Sequence, residues 1–231
     1  MTATVTSSDA AVGLGDPGPV GARLRVVDEP RRIDLTAAER AAADFLAALG
    51  VDLTGEGLRD TPQRMASAYA EMFTPRPFDL TTFPNDEGYD ELVVARSLPV
   101  TSVCEHHLLP FLGVAHVGYL PGKRILGLSK LARVVELFAR RPQVQERLTQ
   151  QVADWLATTL EPRGVGVVIE AEHLCMTARG VRAEGATTVT SALHGQLRHD
   201  AATRAEFFAL TTGGSSGGSG RSRPGQHGAL R

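Results

Sequence analysis

Two four-residue strings hold the only two cysteines of the chain: Cys104-Glu105-His106-His107 and Glu172-His173-Leu174-Cys175. Three of its seven histidines stand in the same strings. A buried free cysteine packs as a small hydrophobe and has no need of imidazole beside it. A thiolate and an imidazole three residues apart, with a second thiolate far along the chain, match the soft S and N donors that zinc takes from converging segments. Cys104, His106, His107, His173 and Cys175 are five candidates for four positions, so some of them have other work.

Other readings of the same residues stay open at this point. Cys104 and Cys175 are a conceivable disulfide, but the N-terminus has no basic start followed by an apolar run, so no secretory signal is visible. No apolar stretch of about 18 residues is available to span a bilayer. The expectation is therefore a cytoplasmic chain with reduced thiols. A closed structural zinc site would use Cys104, His107, Cys175 and one further histidine. Structural sites usually pair their ligands in compact knuckles, and here the last ligand stands alone, so the spacing favours catalytic over structural zinc.

The elements that must position these residues follow from periodicity. Residues 1–32 are rich in Gly, Pro, Ser and Thr and read as a disordered leader. Residues 211–231 combine a Gly/Ser linker composition with a basic tail. The folded body is thus 33–210, divided into N-terminal helices over 33–75 and a core over 90–210. A first helix opens at Thr36 with Glu39 as a capping box, carries Phe45, Leu46 and Leu49, and stops at Gly50. A second begins at Thr61-Pro62, with Met65, Tyr69, Met72 and Phe73 at helical spacing. Leu92 to Cys104, Leu112 to Leu120, Gly164 to Ala171 and Thr187 to Leu193 read as strands. Between the second and third strands, one helix starts at Ser129 (Leu131, Val134, Val135, Phe138). Another starts near Pro142 (Val144, Leu148, Val152, Trp155, Leu156). This order predicts an α+β layer fold, with helices on one face of an antiparallel sheet. The candidate ligands then lie at a strand end and in a loop, where sites commonly sit.

A chain of 231 residues with a net charge of −2 is large enough for one real core. That charge offers no electrostatic case for a nucleic-acid partner, and no membrane association is expected. Only two lysines, Lys123 and Lys130, occur among 24 basic residues.

Several longer motifs give the chain a family resemblance. Thr101-Ser102-Val103-Cys104-Glu105-His106-His107 resembles the zinc motif of GTP cyclohydrolase I. Gly127-Leu128-Ser129-Lys130-Leu131-Ala132-Arg133, the run from Arg141 to Thr149, and Glu172-His173-Leu174-Cys175 followed by Arg179-Gly180 resemble further motifs of that family. Thr61-Pro62-Gln63-Arg64 matches as well, and the resemblance covers roughly 35–210 in the right order.

The resemblance implies a tunnelling fold (T-fold), in which a four-stranded antiparallel sheet backed by helices joins its neighbours into a barrel. It also implies a homodecamer of two stacked pentamers with active sites at subunit boundaries. The implied reaction takes GTP and water, releases C8 as formate, and closes a new ring to give 7,8-dihydroneopterin triphosphate, the first step of tetrahydrofolate (pterin) biosynthesis.

The same resemblance assigns roles. Cys104, His107 and Cys175 would hold one zinc ion per subunit, leaving a fourth position for water. Zinc lowers the pKa of such a water toward about 7, which suits attack at C8 near neutrality. His106 and His173, beside or near the ligands, would carry protons. Glu146 would recognise guanine by accepting from N1–H and the 2-amino group, with Gln145 as a companion. Adenine lacks that donor pair and would leave the carboxylate unpaired. Ser129, Lys130, Arg133, Arg179 and Arg64 would hold the triphosphate, Ser129 at a helix start and the arginines through their forks.

This chain departs from the commoner pattern at Val114 and Ser67, where many or some members carry Lys, and at Gly195-Gln196-Leu197. None of these touches the zinc or proton-transfer positions. The competing expectations are a paralogue serving a deazapurine or other specialised pathway, and an inactive zinc-stabilised scaffold. Intact His106, His173 and Glu146 weigh against the scaffold.

Overall fold

In the computed structural model, residues 32–212 are described, together with the backbone of two short strands, β1 (Thr4–Thr6) and β2 (Leu24–Val27). Most of the leader over 1–32 and nearly all of the tail over 211–231 lie outside the described residues. β2 pairs with β1 on one side and with a later strand, β3 (Phe78–Leu80), on the other.

Two helices pack against each other, α1 (Leu35–Ala48) and α2 (Thr61–Met72). Asp34, not Thr36, caps α1: its Oδ1 accepts from the Ala37 amide at 2.9 Å. The Asp34 carboxylate sits one position before the first helical turn, where the free N–H groups are, whereas Thr36 is already inside the helix. Gly50 follows the helix with φ +79°, the left-handed conformation that ends helices and that glycine adopts without strain. α2 starts at Thr61 with Pro62 inside its first turn, and Asp60 before it makes no side-chain cap bond.

Short strands β4 (Thr82–Pro84) and β7 (Arg124–Leu126) pair with each other. The core follows from β5 (Val93–Cys104), β6 (Pro110–Leu120), α3 (Leu128–Ala139), β8 (Pro142–Gln143), α4 (Gln145–Leu160), β9 (Gly164–His173), α5 (Leu174–Thr177) and β10 (Thr188–Gly195). The main sheet has the order β10-β9-β6-β5-β8. Its four long strands pair antiparallel, and β8 adds a fifth, two-residue strand parallel to β5. The sequence places Pro142 and Val144 in a helix. In the structure Pro142-Gln143 is strand, Val144 is the residue before α4, and the helix begins at Gln145. Proline lacks an N–H, so it is tolerated at a sheet edge of this kind.

Alternation decides the two faces of the sheet. Val165, Val167, Ile169 and Ala171 of β9 and Phe111, Ala115, Val117 and Tyr119 of β6 are all buried. They pack in one core with Leu131, Val134, Val135 and Phe138 of α3 and Leu148, Val152 and Leu156 of α4. Each fully buried Val, Leu, Ile or Phe side chain among them contributes about 1.5–3 kcal/mol. The opposite face is not bare. Two further helices, α6 (Gln196–His199) and α7 (Ala201–Thr212), close over its end. Leu197 and Phe207, both fully buried, pack there with Leu120 and Val168. Helices therefore lie on both faces, against the expectation of one. Gly166 makes room for them: a Cβ there would meet Leu197 and Phe207 at 2.7 Å.

Candidate active site

The turn between β5 and β6 carries the first string. The Cys104 amide donates to the Leu109 carbonyl (2.9 Å) and the Leu108 amide to the Cys104 carbonyl (2.8 Å). This closes a loop that contains Glu105, His106 and His107. Leu108 has φ +53°, a strained value for a residue with a Cβ. Its carbonyl accepts from the Tyr69 hydroxyl of α2 at 2.9 Å, which ties the helical pair to the turn.

The second string reaches the same place through pairing. β9 lies against β6 with Phe111 opposite His173, and β9 then passes into the single turn α5, which contains Cys175. The β5–β8 pairing sets Cys104 opposite Gln143, and the Glu105 amide donates to the Gln143 carbonyl (2.9 Å). The start of α4 is thereby drawn to the same turn.

One donor atom from each of Cys104, His107 and Cys175 lies within 4.8 Å of the other two. Cys104 Sγ stands 3.8 Å from His107 Nδ1. Two ligands at ordinary zinc–sulfur and zinc–nitrogen lengths and a tetrahedral angle would stand about 3.6 Å apart. His106 Nδ1 is 3.9 Å from the same sulfur but does not join the trio. Both cysteines are free thiols, which removes the disulfide reading. Burial, and then the neighbouring Cys104, push the Cys175 thiol up, while Arg179 acts the other way. Two adjacent sulfurs resist ionising together, and a cation between them removes that resistance. The residues present therefore fit a bound metal ion.

A cavity of about 230 Å³ opens over this group, lined by Cys104, His106, His107, Gln145, Glu146, His173 and neighbours. Glu146 is exposed in the first turn of α4, where the helix dipole favours its charge. His173 is half-buried, with its ring stacked on Phe111 (centroids 4.6 Å, planes 13° apart) and Nε2 2.8 Å from Gln145 Oε1. Burial holds its pKa below the usual histidine range, and the charge of Glu146 opposes this. His106 is exposed in the turn, 3.9 Å from Glu105 Oε1.

The residues expected to hold phosphate stand elsewhere. Ser129 and Arg133 line a second cavity of about 380 Å³ beside α3, with Arg76, Thr101, Glu136 and Arg140. The two cavities share no lining residue. Arg76 forks onto Glu136 (Nε to Oε1 and Nη2 to Oε2, both 2.7 Å), and Arg133 Nη1 adds a third bond at 3.1 Å. Burial raises the Glu136 pKa, but the Arg76 hydrogen bonds and charge outweigh it and hold the carboxyl below its ordinary range. Arg179 is exposed and near enough to Cys175 for its charge to favour the thiolate. Lys130 lines neither cavity. Arg64 bonds within its own segment, to the Gly57 carbonyl (3.2 Å) and Asp60 (3.6 Å).

Four contributors escaped the sequence reading. Arg76 and Glu136 carried no motif. Gln143 lay inside a motif and Phe111 in none, and the roles of both depend on strand pairing. Gln143 is buried, and its Oε1 has no hydrogen-bond partner.

An α+β chain whose Cys-His-Cys group could hold a metal ion at and just beyond the ends of β5 and β9 has the outline of an enzyme core, and comparison with known proteins gives the family. The model for GTP cyclohydrolase I matches residues 38–212. The GTP cyclohydrolase 1 of Mycobacteroides abscessus is 57% identical over 182 residues, covering 77% of this chain and 89% of that protein. That of Mycobacterium leprae is 52% identical over 206 residues, covering 87% and 98%. A solved structure of the archaeosine synthase QueF-Like in the apo form is 19% identical. It covers 45% of this chain and 93% of that one at a TM-score of 0.36, too slight a likeness to argue from. The chain belongs to the GTP cyclohydrolase I family. Among the described residues no helix is long and apolar enough to cross a membrane.

Proposed function

We propose that this chain is a zinc-dependent GTP cyclohydrolase that releases C8 of GTP as formate and forms 7,8-dihydroneopterin triphosphate for tetrahydrofolate biosynthesis. One observation carries the reading. The Cys104, His107 and Cys175 donors converge beneath a cavity that also has Glu146 and His173 in its wall. When bound, one zinc per subunit would supply Lewis acidity, bringing water toward hydroxide at neutral pH.

The chain's own residues do the rest. Cys104, His107 and Cys175 hold the metal. Glu146 accepts from guanine N1–H and the 2-amino group, which orients the purine and rejects adenine. His106 and His173 deliver and remove protons as the imidazole ring opens and formate leaves. Desolvation lowers the His173 pKa and favours the neutral ring, the form that can accept a proton.

The 230 Å³ cavity suits a base better than a whole nucleoside triphosphate. The cationic cavity by α3, with Ser129 and Arg133 in its wall, is the second half of the site. Lys130, Arg64 and Arg179 complete the phosphate contacts. We infer that the two halves meet between neighbouring copies, in a decamer of two stacked pentamers built from T-fold sheets of four antiparallel strands. The free thiols are in keeping with a reducing cytoplasm.

The test is product analysis on zinc-loaded protein with GTP. Formate and a pterin that fluoresces after oxidation are expected in equal amounts. Formate without pterin would mean a ring-opening enzyme only, and neither product would end the proposal.

A further inference from the structure

The side chain of Gln145 has been grouped with the guanine contacts, yet it is 1% exposed and its polar atoms are engaged by the protein. Nε2 lies 3.0 Å from the Ile169 carbonyl, 2.9 Å from the Thr188 carbonyl and 3.1 Å from Thr190 Oγ1. Carbonyl oxygens only accept. Turning the amide over would set Oε1 against two of them, so the nitrogen must face β9 and β10 and the oxygen must face His173.

A hydroxyl circuit agrees with that orientation. Thr149 Oγ1 donates to the Gln145 main-chain carbonyl at 2.8 Å. Its hydrogen is thereby committed, and the 2.6 Å contact between Thr149 and Thr190 hydroxyls must be donated by Thr190. Thr190 then offers a lone pair to Gln145 Nε2, and every donor in the ring has an acceptor.

The consequence falls on His173. Its Nε2 is 2.8 Å from Gln145 Oε1, an atom that can only accept, so Nε2 must carry the hydrogen. Phe111 stacked at 4.6 Å fixes the plane of the ring. Among the described residues Nδ1 has no hydrogen-bond partner. We propose that Gln145 is a positioning residue that locks His173 in its Nε2–H tautomer and leaves the Nδ1 lone pair as the one the ring offers to the substrate. This rests on the reading of His173 as a residue that meets the substrate.

Nitrogen and carbon NMR of histidine-labelled, full-length, zinc-loaded protein reads the tautomer directly, with the His173 signals assigned by their loss in His173→Gln. A neutral ring protonated at Nε2 is expected, and one protonated at Nδ1 overturns the role of Gln145. The wild-type spectrum decides this even where variants fold poorly. Gln145→Met should keep its zinc, show mixed tautomers, and lose about tenfold to a hundredfold in kcat with KM for GTP within about twofold. A large rise in KM with an unchanged tautomer would make Gln145 a substrate contact and sink the proposal. Undiminished turnover in His173→Ala would overturn the assignment of His173 itself, a failure distinct from a wrong tautomer in an enzyme that depends on His173.

Discussion

The metal pocket and the α3 cavity handle charge in opposite ways. In the pocket, Cys104 is 6% exposed at the last residue of a strand, and its neighbours arrive through backbone pairing at Phe111–His173 and Cys104–Gln143. Metal ligands need positions good to a few tenths of an ångström, and strand registers supply that. In the α3 cavity, long arginine side chains converge on one carboxylate, and the Arg76 side chain is 67% exposed. Glu136 there holds two cations ready and half-neutralises them. A rigid pocket suits chemistry at one ring atom, whereas an adjustable cationic one suits a flexible triphosphate.

The largest effect should come from removing a metal ligand. Cys175→Ser should lose both bound zinc and GTP turnover, because only the local Cys104/His107 pair remains. Metal analysis beside activity checks this, and full zinc in the folded variant would take Cys175 out of the ligand set.

Next in size is Glu146→Gln. An amide keeps one acceptor and sets a donor against the other guanine donor; the lost bond and the two donors left facing each other, at about 1–3 kcal/mol each, lower kcat/KM by about a hundredfold or more. Steady-state kinetics with unchanged zinc content would place the loss in base recognition. A near-normal value would leave Glu146 an exposed helix charge.

In the α3 cavity the direction reverses. Glu136→Gln should free Arg76 and Arg133 for phosphate, lowering KM for GTP by about threefold at low salt. Screening should erase most of that gain near 1 M salt. A KM that stays put, or rises, would mean that this cavity does not take the triphosphate.

The smallest effect concerns stability. The folded Glu136 carboxyl ionises below its ordinary range, so its ion pair adds stability only while charged. The contribution is complete above the unfolded carboxylate value of about 4.3 and fades as pH falls through the folded value. The gap in Tm between wild type and Arg76→Ala should therefore be wider at pH 7 than at pH 3. An equal gap at both would show that Arg76 acts through packing alone.

The two regions also differ in how far the sequence disclosed them. Cysteine and histidine are scarce, so Cys104, His106, His107, His173 and Cys175 stood out by type and spacing before any fold was known, and the resemblance singled out Cys104, His107 and Cys175 among them. The long strands were legible because Val, Ile and Thr cluster in runs bounded by turn residues. The α3 cavity was legible only through resemblance, since Arg133 is one of many arginines and Arg76 lies 60 residues from Glu136, a pairing made by the fold. β8 escaped because two residues have no period to read. The C-terminal helices escaped too: α7 has little one-sided pattern, and Phe207 is buried by glycines on other strands. Gln145 shows the same limit. Its place in a motif was plain, but its bonds go to carbonyls of β9 and β10, which only the sheet brings near.

The claim that one active site combines the pocket of one copy with the α3 cavity of the next can be tested by co-expression. Glu146→Gln and Arg133→Ala each disable one half. Chains carrying one change apiece, assembled at random, should recover about a quarter of wild-type turnover, because about a quarter of the shared sites then have both halves intact. No recovery above the two variants alone, with mixed oligomers demonstrated by mass, would contradict a site shared between subunits.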